Sequence, residues 1–357
     1  MPNDDAKQQG PDSPTATPGQ GPGHALAALF TWQRMRGYAK KLLTEYSYWL
    51  SFVLLLLIAW YTNPYFFRWN NISSIFVQSA TTTGIIALGM TMVICAGMID
   101  ISVGAQVAII SGFCLVALNL THSIWVALAV GLGVGLLIGT VNGLLVAKGH
   151  MPAMIATLAL QSICRSLINH FGQGGPFTVA DKADFDLFRL VAAGTIKIGG
   201  LKVPYPLILF ILISALFAVI MQHTKLGKHV YAVGSNEVSA RLAGVNVGFI
   251  KIAVFSITGL LCGFTGWLYA SRVMAVAAAS AGSQFEMDAI AAVAIGGTAM
   301  SGGRGKIIGT FLGVLMFKII NNILVAANVP TFLNGAVSGA IIVVAVLLQN
   351  LQGSKKG

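Results

Sequence analysis

The stretch Ala232-Val-Gly-Ser-Asn-Glu-Val-Ser-Ala-Arg-Leu-Ala-Gly-Val-Asn-Val-Gly-Phe-Ile-Lys251 is the only long polar insertion with helix signals between two apolar spans. Asn236 is placed to cap a short helix, and Glu237 suits the positive end of the helix dipole. Gly244 is placed to end that helix in the left-handed conformation. The stretch therefore predicts about two turns of helix, which is too short to be stable alone in water.

The predicted helix needs a surface on which to lie. Val238, Leu242 and Ala243 fall at i, i+4 and i+5 and give it one apolar stripe. The surface is either the rest of the chain or another protein. The alternative interpretation is a solvated connector loop, and the surrounding sequence has to decide between them.

The composition is that of an integral membrane protein. Of the 357 residues, 56% are hydrophobic and only 9% are charged, whereas soluble domains carry about 25% charged residues. The net charge of +11 does not indicate nucleic-acid binding, because the basic residues are scattered at span ends without an aromatic-interleaved patch.

Apolar runs long enough to cross a bilayer core, about 20 residues each, recur along the chain. We place them near 46–62, 72–97, 103–121, 124–147, 152–170, 203–222, 250–271, 287–300, 307–327 and 331–349. The eighth run is short and the second and third are nearly continuous, so the count is eight to ten. With ten spans and the N-terminus inside, fourteen of the 22 basic residues are cytoplasmic, six are outside and two lie within spans, as the positive-inside rule requires.

The sequence thus predicts an all-α polytopic membrane protein of about ten helices, some broken or short, with both termini cytoplasmic. Residues 1–45 read as a disordered cytoplasmic tail, 46–350 as the transmembrane domain and 351–357 as a second cytoplasmic tail. A cytoplasmic loop covers 223–251. The outer loop, 171–202, carries acidic and aromatic residues and is either a small amphipathic piece that faces an external partner or a folded loop without one.

The four cysteines, Cys95, Cys114, Cys164 and Cys262, all lie in apolar runs. They have no CxxC spacing and no nearby histidine, so we expect buried free thiols rather than disulfides or a metal site.

One acidic residue, Asp100, lies deep in the apolar sequence, within Ala96-Gly-Met-Ile-Asp-Ile-Ser-Val-Gly104. Gly97 and Gly104 bracket it and indicate a broken helix, whose second half Ser102 could cap. A proton or ion site is one interpretation. We favour the other, a structural carboxylate that caps the broken helices.

A second glycine-rich break is Ile295-Gly-Gly-Thr-Ala-Met-Ser-Gly-Gly-Arg-Gly-Lys306. It is not a phosphate loop, because Ile307 follows Lys306 where a Walker A motif needs Ser or Thr. We expect a tight cytoplasmic turn at Gly302, Gly303, Arg304 and Gly305. No catalytic arrangement of residues is visible, so the sequence does not indicate an enzyme.

Polar side chains also occur within the apolar spans. They either bond one helix to another or line a polar solute path, and their spacing does not decide between these roles. They include Gln78, Thr81, Thr82, Thr83, Asn142, Gln161, Asn169, Asn321 and Asn322.

Taken together, these motifs resemble the permease subunit of monosaccharide (ribose-type) ABC importers. That family carries Gly-Gly-Ile-Asp-Leu-Ser-Val-Gly where this chain has Gly97-Met-Ile-Asp-Ile-Ser-Val-Gly104, and Ala-Ile-Gly-Gly-Asn-Pro-Glu-Ala-Ala-Arg-Leu-Ser-Gly-Ile-Asn-Val where it has Ala232–Val247. Glu286–Thr298, Ser301–Gly305 and Asn321-Asn322 match as well, so the resemblance spans roughly 70–350. This chain departs at Met98, which replaces a glycine, and lacks the proline before Glu237.

The resemblance implies that the helix within 232–251 couples the spans to a cytoplasmic ATP-binding subunit. The implied coupling residues are Gly234, Asn236, Glu237, Val238, Ala240, Arg241, Leu242 and Gly244. It further implies a sugar-binding protein docked outside, a second permease chain forming a homodimer, ATP and magnesium held by the partner subunit rather than this chain, and the bacterial inner membrane. The cargo would be a monosaccharide or related small polyol. The alternative is a secondary, proton- or ion-coupled transporter that uses Asp100.

Overall fold

The computed structural model describes residues 47–330 and 333–353. The predicted tail 1–45 and the last residues, 354–357, lie outside this part. The helices are, in chain order, α1 (Ser47–Thr62), α2 (Trp69–Thr81), α3 (Gly84–Cys95), α4 (Val103–Thr121), α5 (Ile124–Ala147), α6 (Ala153–Gly172), α7 (Lys182–Ala193), α8 (Tyr205–His223), α9 (Lys225–Ser235), α10 (Glu237–Leu242), α11 (Val247–Val273), α12 (Phe285–Ile295), α13 (Ile307–Ala326) and α14 (Asn334–Gly353). In the part of the chain that the structure describes, four short strands pair antiparallel: β1 (Pro176–Thr178) with β4 (Ala275–Ala277), and β2 (Thr195–Ile198) with β3 (Leu201–Pro204).

Within residues 47–330 and 333–353, five helices are long and apolar enough to cross a membrane, namely α4, α5, α8, α11 and α13. The pair α2–α3 passes the same test as one span bent by 50°. Each of the ten predicted segments coincides with a helix or with this bent pair. Length and apolarity alone therefore support five or six of the ten predicted spans, and α12, with 11 residues, is a half-span.

The centre of the bundle is the packing of α5 against α11. Glycines recur every fourth residue on α5, and three of them, Gly131, Gly135 and Gly139, lie against Gly259 or Gly263 of α11. A Cβ added at Gly135 would overlap the Gly259 carbonyl. Such small-residue faces let two backbones approach closely.

The predicted outer loop is folded around α7. Phe188 of α7 is fully buried, and its carbonyl accepts a 2.7 Å hydrogen bond from Ser271 Oγ of α11. His122 Nδ1, at the end of α4, lies 2.7 Å from Asp184 Oδ2. The small amphipathic element is thus present, and its contact with an external partner remains a prediction.

All four cysteines are free and buried, as the sequence predicts. The Cys114 thiol donates a hydrogen bond to the Ala127 carbonyl at 3.2 Å, across the α4–α5 contact. These side chains are therefore packing groups in the bundle.

Candidate coupling site at the broken helices

The predicted short helix is α10. Asn236 Oδ1 accepts a hydrogen bond from the Ser239 amide at 2.8 Å, which caps its N-terminus. At its other end Gly244 has φ +83°. The Gly244 amide donates to the Arg241 carbonyl, and the Val245 amide donates to the Ala240 carbonyl, each at 3.0 Å. This is a Schellman motif, so both predicted helix signals are confirmed.

The two faces of α10 differ. Ala240 is buried against the chain, whereas Val238 is 68% and Leu242 is 85% exposed. Glu237 forms ion pairs with Arg241 at 3.1 Å and with Lys251 of α11 at 2.9 Å. The helix is held on its inner side and presents an apolar stripe on its outer side.

The segment 223–251, predicted to be a cytoplasmic loop, contains a second helix, because α9 precedes α10. Thr224 Oγ1 accepts a hydrogen bond from the Gly227 amide at 3.3 Å and caps α9. Val230 and Val233 of α9 are buried. The Thr224 cap and these two apolar positions were the signals in the sequence from which α9 could have been predicted.

The first predicted break lies at the end of α3. Gly97 has φ +79°, its amide bonds to the Ile94 carbonyl at 2.9 Å, and the Met98 amide bonds to the Val93 carbonyl at 3.0 Å. This is again a Schellman motif, in which the residue after the glycine is usually apolar and packs back. Met98, one of the two departures from the family pattern, occupies that position and is buried.

The second predicted break repeats this geometry at the end of α12. Gly297 has φ +79°, and the Thr298 amide bonds to the Val293 carbonyl at 3.3 Å. The following turn is closed by a 2.9 Å bond from the Ala299 amide to the Arg304 carbonyl. The tight turn at 302–305 is therefore present, with the Arg304 side chain exposed.

The two breaks and the end of α9 meet in one place, which we call the glycine junction and define as Gly97, Gly234, Gly302 and Gly303. The Gly303 amide donates to the Cys95 carbonyl at 2.9 Å. A Cβ on Gly234 would overlap the same carbonyl, and one on Gly302 would lie 2.8 Å from the Gly234 oxygen and 2.9 Å from Gly97 Cα. Three segments thus touch through backbone alone.

Tyr231 of α9 adds a side-chain bond to the glycine junction. Its hydroxyl donates to the Gly305 carbonyl at 2.8 Å. Burial, and secondly the nearby Cys95, raise the pKa of Tyr231 to about 12. The phenol is therefore protonated at physiological pH and remains a donor.

Asp100 lies just before α4, and its carboxylate is hydrogen-bonded to Ser102. Its Oδ1 accepts hydrogen bonds from the Ser102 amide at 2.9 Å and from the Ser102 hydroxyl. Ser102 Oγ in turn accepts from Gln106 Nε2 at 2.8 Å and from Asn142 Nδ2 of α5 at 2.9 Å. These contacts are those of a structural carboxylate, and Gln106 is a member of the network that the sequence did not single out.

Gly104, in the first turn of α4, provides a close contact with the α12 region. A Cβ there would overlap Glu286 Oε2 and the Gly282 carbonyl. The two glycines on either side of Asp100 therefore make different contacts. Gly97 lies in the glycine junction, and Gly104 packs against the α12 region.

Asn321 and Asn322 of α13 belong to a separate set of contacts, against α2. Asn322 Nδ2 donates to Asn71 Oδ1 at 2.9 Å. Asn321 Oδ1 is buried and has no hydrogen-bond partner within 47–330 and 333–353. The predicted site residues therefore lie in four places: on α10, at the glycine junction with its 302–305 turn, around Asp100 at the start of α4, and at the α2–α13 contact.

A buried ion pair between α12 and α13 was not predicted from the sequence. Lys318 Nζ of α13 lies 3.9 Å from Asp288 Oδ2 in the first turn of α12, and Ser338 Oγ donates to Asp288 Oδ1 at 3.1 Å. Asp100 is thus not alone, since Glu286 and Asp288 are also inside the bundle. Acidic residues in the first turn, here Glu286 and Asp288, indicate the start of a helix. The predicted span at 287–300 included Asp288 without using this signal.

Comparison with known proteins identifies the class. Residues 71–346 match the family described as branched-chain amino acid transport system / permease component. The chain is 34% identical to the ribose import permease protein RbsC of Haemophilus influenzae over 88% of this chain and 96% of that protein. It is 38% identical to RbsC of Bacillus subtilis (84% and 90% covered) and 31% identical to the L-arabinose ABC transporter permease protein AraH of Azospirillum brasilense (90% and 92% covered).

These matches and the apolar helices make the chain a multi-pass protein of the bacterial inner membrane. The expected resemblance to ribose-type importers is confirmed. The chain belongs to the ABC importer permeases of the branched-chain amino acid transport system / permease component family.

Proposed function

We propose that this permease forms the translocation path for a monosaccharide or related small polyol, driven by ATP hydrolysis in a separate subunit. Relatives named for ribose and L-arabinose import support the choice of cargo. The observation that carries the coupling role is α10, which is held to α9 and α11 on one face and leaves Val238 and Leu242 exposed on the other.

The coupling residues act in two ways. Val238, Arg241 and Leu242 meet a groove on the ATP-binding subunit, while Asn236, Ala240 and Gly244 keep α10 folded and attached. Movement of α10 reaches α9 and then the glycine junction, where Gly234 packs on the Cys95 carbonyl. Because no side chain lies between these backbones to absorb a displacement, the end of α3 and the 302–305 turn move with α9.

The remaining partners follow from the same proposal. ATP and magnesium bind to the partner subunit, and this chain holds no cofactor or metal and catalyses no reaction. A sugar-binding protein docks on the outer segment 171–202, two copies of the permease enclose the path as a homodimer, and ten spans place both termini in the cytoplasm.

The contacts of Asp100 do not support a second candidate function as a secondary transporter. Its Oδ1 and the Ser102 hydroxyl are engaged in a network that joins α4 to α5. The relatives are subunits of ABC importers, which take their energy from ATP.

Photo-crosslinking tests the proposal without knowledge of the cargo. A photoreactive amino acid replaces Val238 or Leu242 in whole cells, with Leu137, an exposed residue of the α5 span, as the control position. We expect capture of an ATP-binding subunit at Val238 and Leu242 but not at Leu137. Crosslinks confined to this chain at both positions, with the ATPase present, would refute the coupling role.

A further inference from the structure

A polar cleft of about 340 Å³ opens between α2, α7, β2 and the end of α11. Its polar side chains come from four elements that are distant in sequence. They include Ser73, Ser74, Gln78, Arg189, Thr195 and Arg272.

Most hydrogen-bonding capacity in the cleft is unused by the protein. Within 47–330 and 333–353, the side chains of Gln78, Arg189 and Thr195 make no hydrogen bond or ion pair, and all three are exposed to the cleft. Arg272 donates one hydrogen bond, to Thr81 Oγ1 at 3.2 Å, and its planar guanidinium carries further donors. The cleft therefore has hydrogen-bond donors and acceptors that are available to a bound solute.

The chemistry of the cleft fits a small hydroxyl-rich solute. Two guanidinium groups, one carboxamide and several hydroxyls face a volume at the lower end of the range of small-molecule sites. Among the residues that the structure describes, no carboxylate lines the cleft, so the positive charge of Arg189 and Arg272 is not neutralised there by any of them. Guanidinium donors bind hydroxyl oxygens and bind anionic groups more strongly.

The cleft continues into a polar face of α2. Asn71, Ser74, Gln78 and Thr81 follow at i, i+3, i+7 and i+10 and so share one side of that helix. Asn71 bonds to Asn322 at one end of the face, and Thr81 bonds to Arg272 at the other, where α2 meets the bend to α3. The polar residues of α2, whose role the sequence left open, thus form a continuous polar track.

The same bent helix pair carries the cleft and the coupling contacts. α2 lines the cleft, and α3 ends at Cys95 in the glycine junction, on the order of 25 Å of helix from Gln78 at 1.5 Å per residue. A displacement of the junction therefore acts on the element that lines the cleft. The bent pair α2–α3 therefore links the cleft to the contacts of the coupling helix.

We propose that this cleft is a cargo subsite of the translocation path, which recognises a polyhydroxylated solute through Gln78, Arg189 and Arg272. The proposal rests on the proposed function and specifies where that function handles its cargo. A neutral sugar and a sugar carrying a carboxylate share the hydroxyl chemistry, and the uncompensated arginines give the charged one the stronger interaction.

Cysteine modification tests the subsite in the full importer. The four native cysteines are buried, so a thiol introduced by Ser74→Cys or Gln78→Cys is the accessible one. Thr121→Cys, at the exposed end of α4, is the matched control. We expect a bulky methanethiosulfonate at position 74 or 78 to lower ATP-dependent uptake by about tenfold or more, and at position 121 to leave it unchanged. Full labelling at both cleft positions with unchanged uptake would overturn the proposal.

A second readout needs no cargo. An anionic methanethiosulfonate should react faster than a cationic one at position 78, and the ratio of the two rates should exceed that at position 121 by about threefold or more. Arg189→Met in the same background should reduce the ratio. Equal ratios at positions 78 and 121 would show that no positive field exists in the cleft and would also overturn the proposal.

The outcomes separate the subsite from the proposed function. The uptake assay uses D-ribose, L-arabinose and D-galactose with the unmodified complex. If none of the three is taken up in an ATP-dependent manner, the proposed sugar transport fails while the rate ratio still reports on the cleft. If uptake is present and insensitive to modification at positions 74 and 78, only the subsite fails.

Discussion

The carbonyl oxygen of Cys95 accepts the amide of Gly303 at 2.9 Å, so the end of α3 is bonded directly to the turn that follows α12. Gly234, at the end of α9, packs against the same carbonyl. Two broken helices and the helix that leads to α10 thereby share one backbone contact. Any rearrangement that moves α10 must either move all three or break this contact.

Gly234→Ala should disturb the glycine junction. The added methyl would overlap the Cys95 carbonyl and lie 2.8 Å from the Gly303 nitrogen, and overpacking of this kind typically costs about 1–3 kcal/mol. We expect a lower melting temperature in detergent and fewer sugar molecules moved per ATP hydrolysed. Gly248→Ala is the control, because a Cβ there would meet only Asn246 Oδ1 at an ordinary 3.6 Å. Equal behaviour of the two variants would contradict the role of the junction.

Leu242→Asn should separate docking from folding. The side chain is 85% exposed and contributes little to the stability of the isolated chain, so we expect a change within about 0.5 kcal/mol. Loss of an apolar anchor in a groove should weaken binding of the ATP-binding subunit by tenfold or more. Co-purification and the rate of ATP hydrolysis measure this, with Lys225→Asn, at an exposed position of α9, as the control. Unchanged binding would mean that the stripe on α10 is not the contact.

The sequence predicted α10 and both breaks because their signals are local. An asparagine cap, a glycine at the helix end and glycines around Asp100 each act within a few residues. The glycine junction could not be predicted in this way, because Gly97, Gly234 and Gly303 are far apart in the chain and meet only through packing. The contact of Asp288 was not predicted because its partner, Lys318, lies on another helix. The cleft at Gln78 could not be predicted either, because Arg189 and Arg272 are distant in sequence and meet Gln78 only in the folded chain.

Asp100→Asn and Asp100→Ala should differ in a way that tests the structural interpretation. An asparagine Oδ1 can accept both bonds from Ser102, so we expect a change in stability below about 1 kcal/mol and normal uptake per folded molecule. Alanine removes the acceptor and leaves the buried Ser102 amide without its partner, which typically costs about 1–3 kcal/mol. Thermal unfolding and uptake, each normalised to folded protein, are the measurements. A well-folded Asp100→Asn variant without uptake would instead indicate a proton or ion site.

Tyr231→Phe should weaken the glycine junction without changing its shape. The variant loses the bond to the Gly305 carbonyl, and we expect it to be less stable by about 1 kcal/mol. The pKa of Tyr231 is raised to about 12 by burial, above its unfolded value of about 10. The advantage of the wild type is therefore fully present below about pH 10 and declines as the pH rises through about 12. Melting curves of both proteins over this pH range check the sign, and an advantage that grows with pH would be inconsistent with a donating phenol.

The buried pair of Lys318 and Asp288 should show strong non-additivity. The two side chains are 10% and 17% exposed and link α13 to α12, while Ser338 of α14 bonds to the same carboxylate. Lys318→Met or Asp288→Asn alone leaves one polar partner without its counterpart, and breaking a buried pair in this way typically costs about 3–5 kcal/mol.

The double variant, Lys318→Met with Asp288→Asn, removes both charges. We expect it to be more stable than either single variant, because neither member of the pair is left as an uncompensated charge and a neutral pair of similar volume can replace a buried ion pair at little cost. A double-mutant cycle on unfolding free energies gives the coupling directly. Uptake by the double variant then distinguishes a structural clamp, which tolerates the exchange, from a charge needed for transport. Additive losses in the cycle would mean that the 3.9 Å separation does not represent an interaction, and that α12 and α13 are held by their apolar contacts alone.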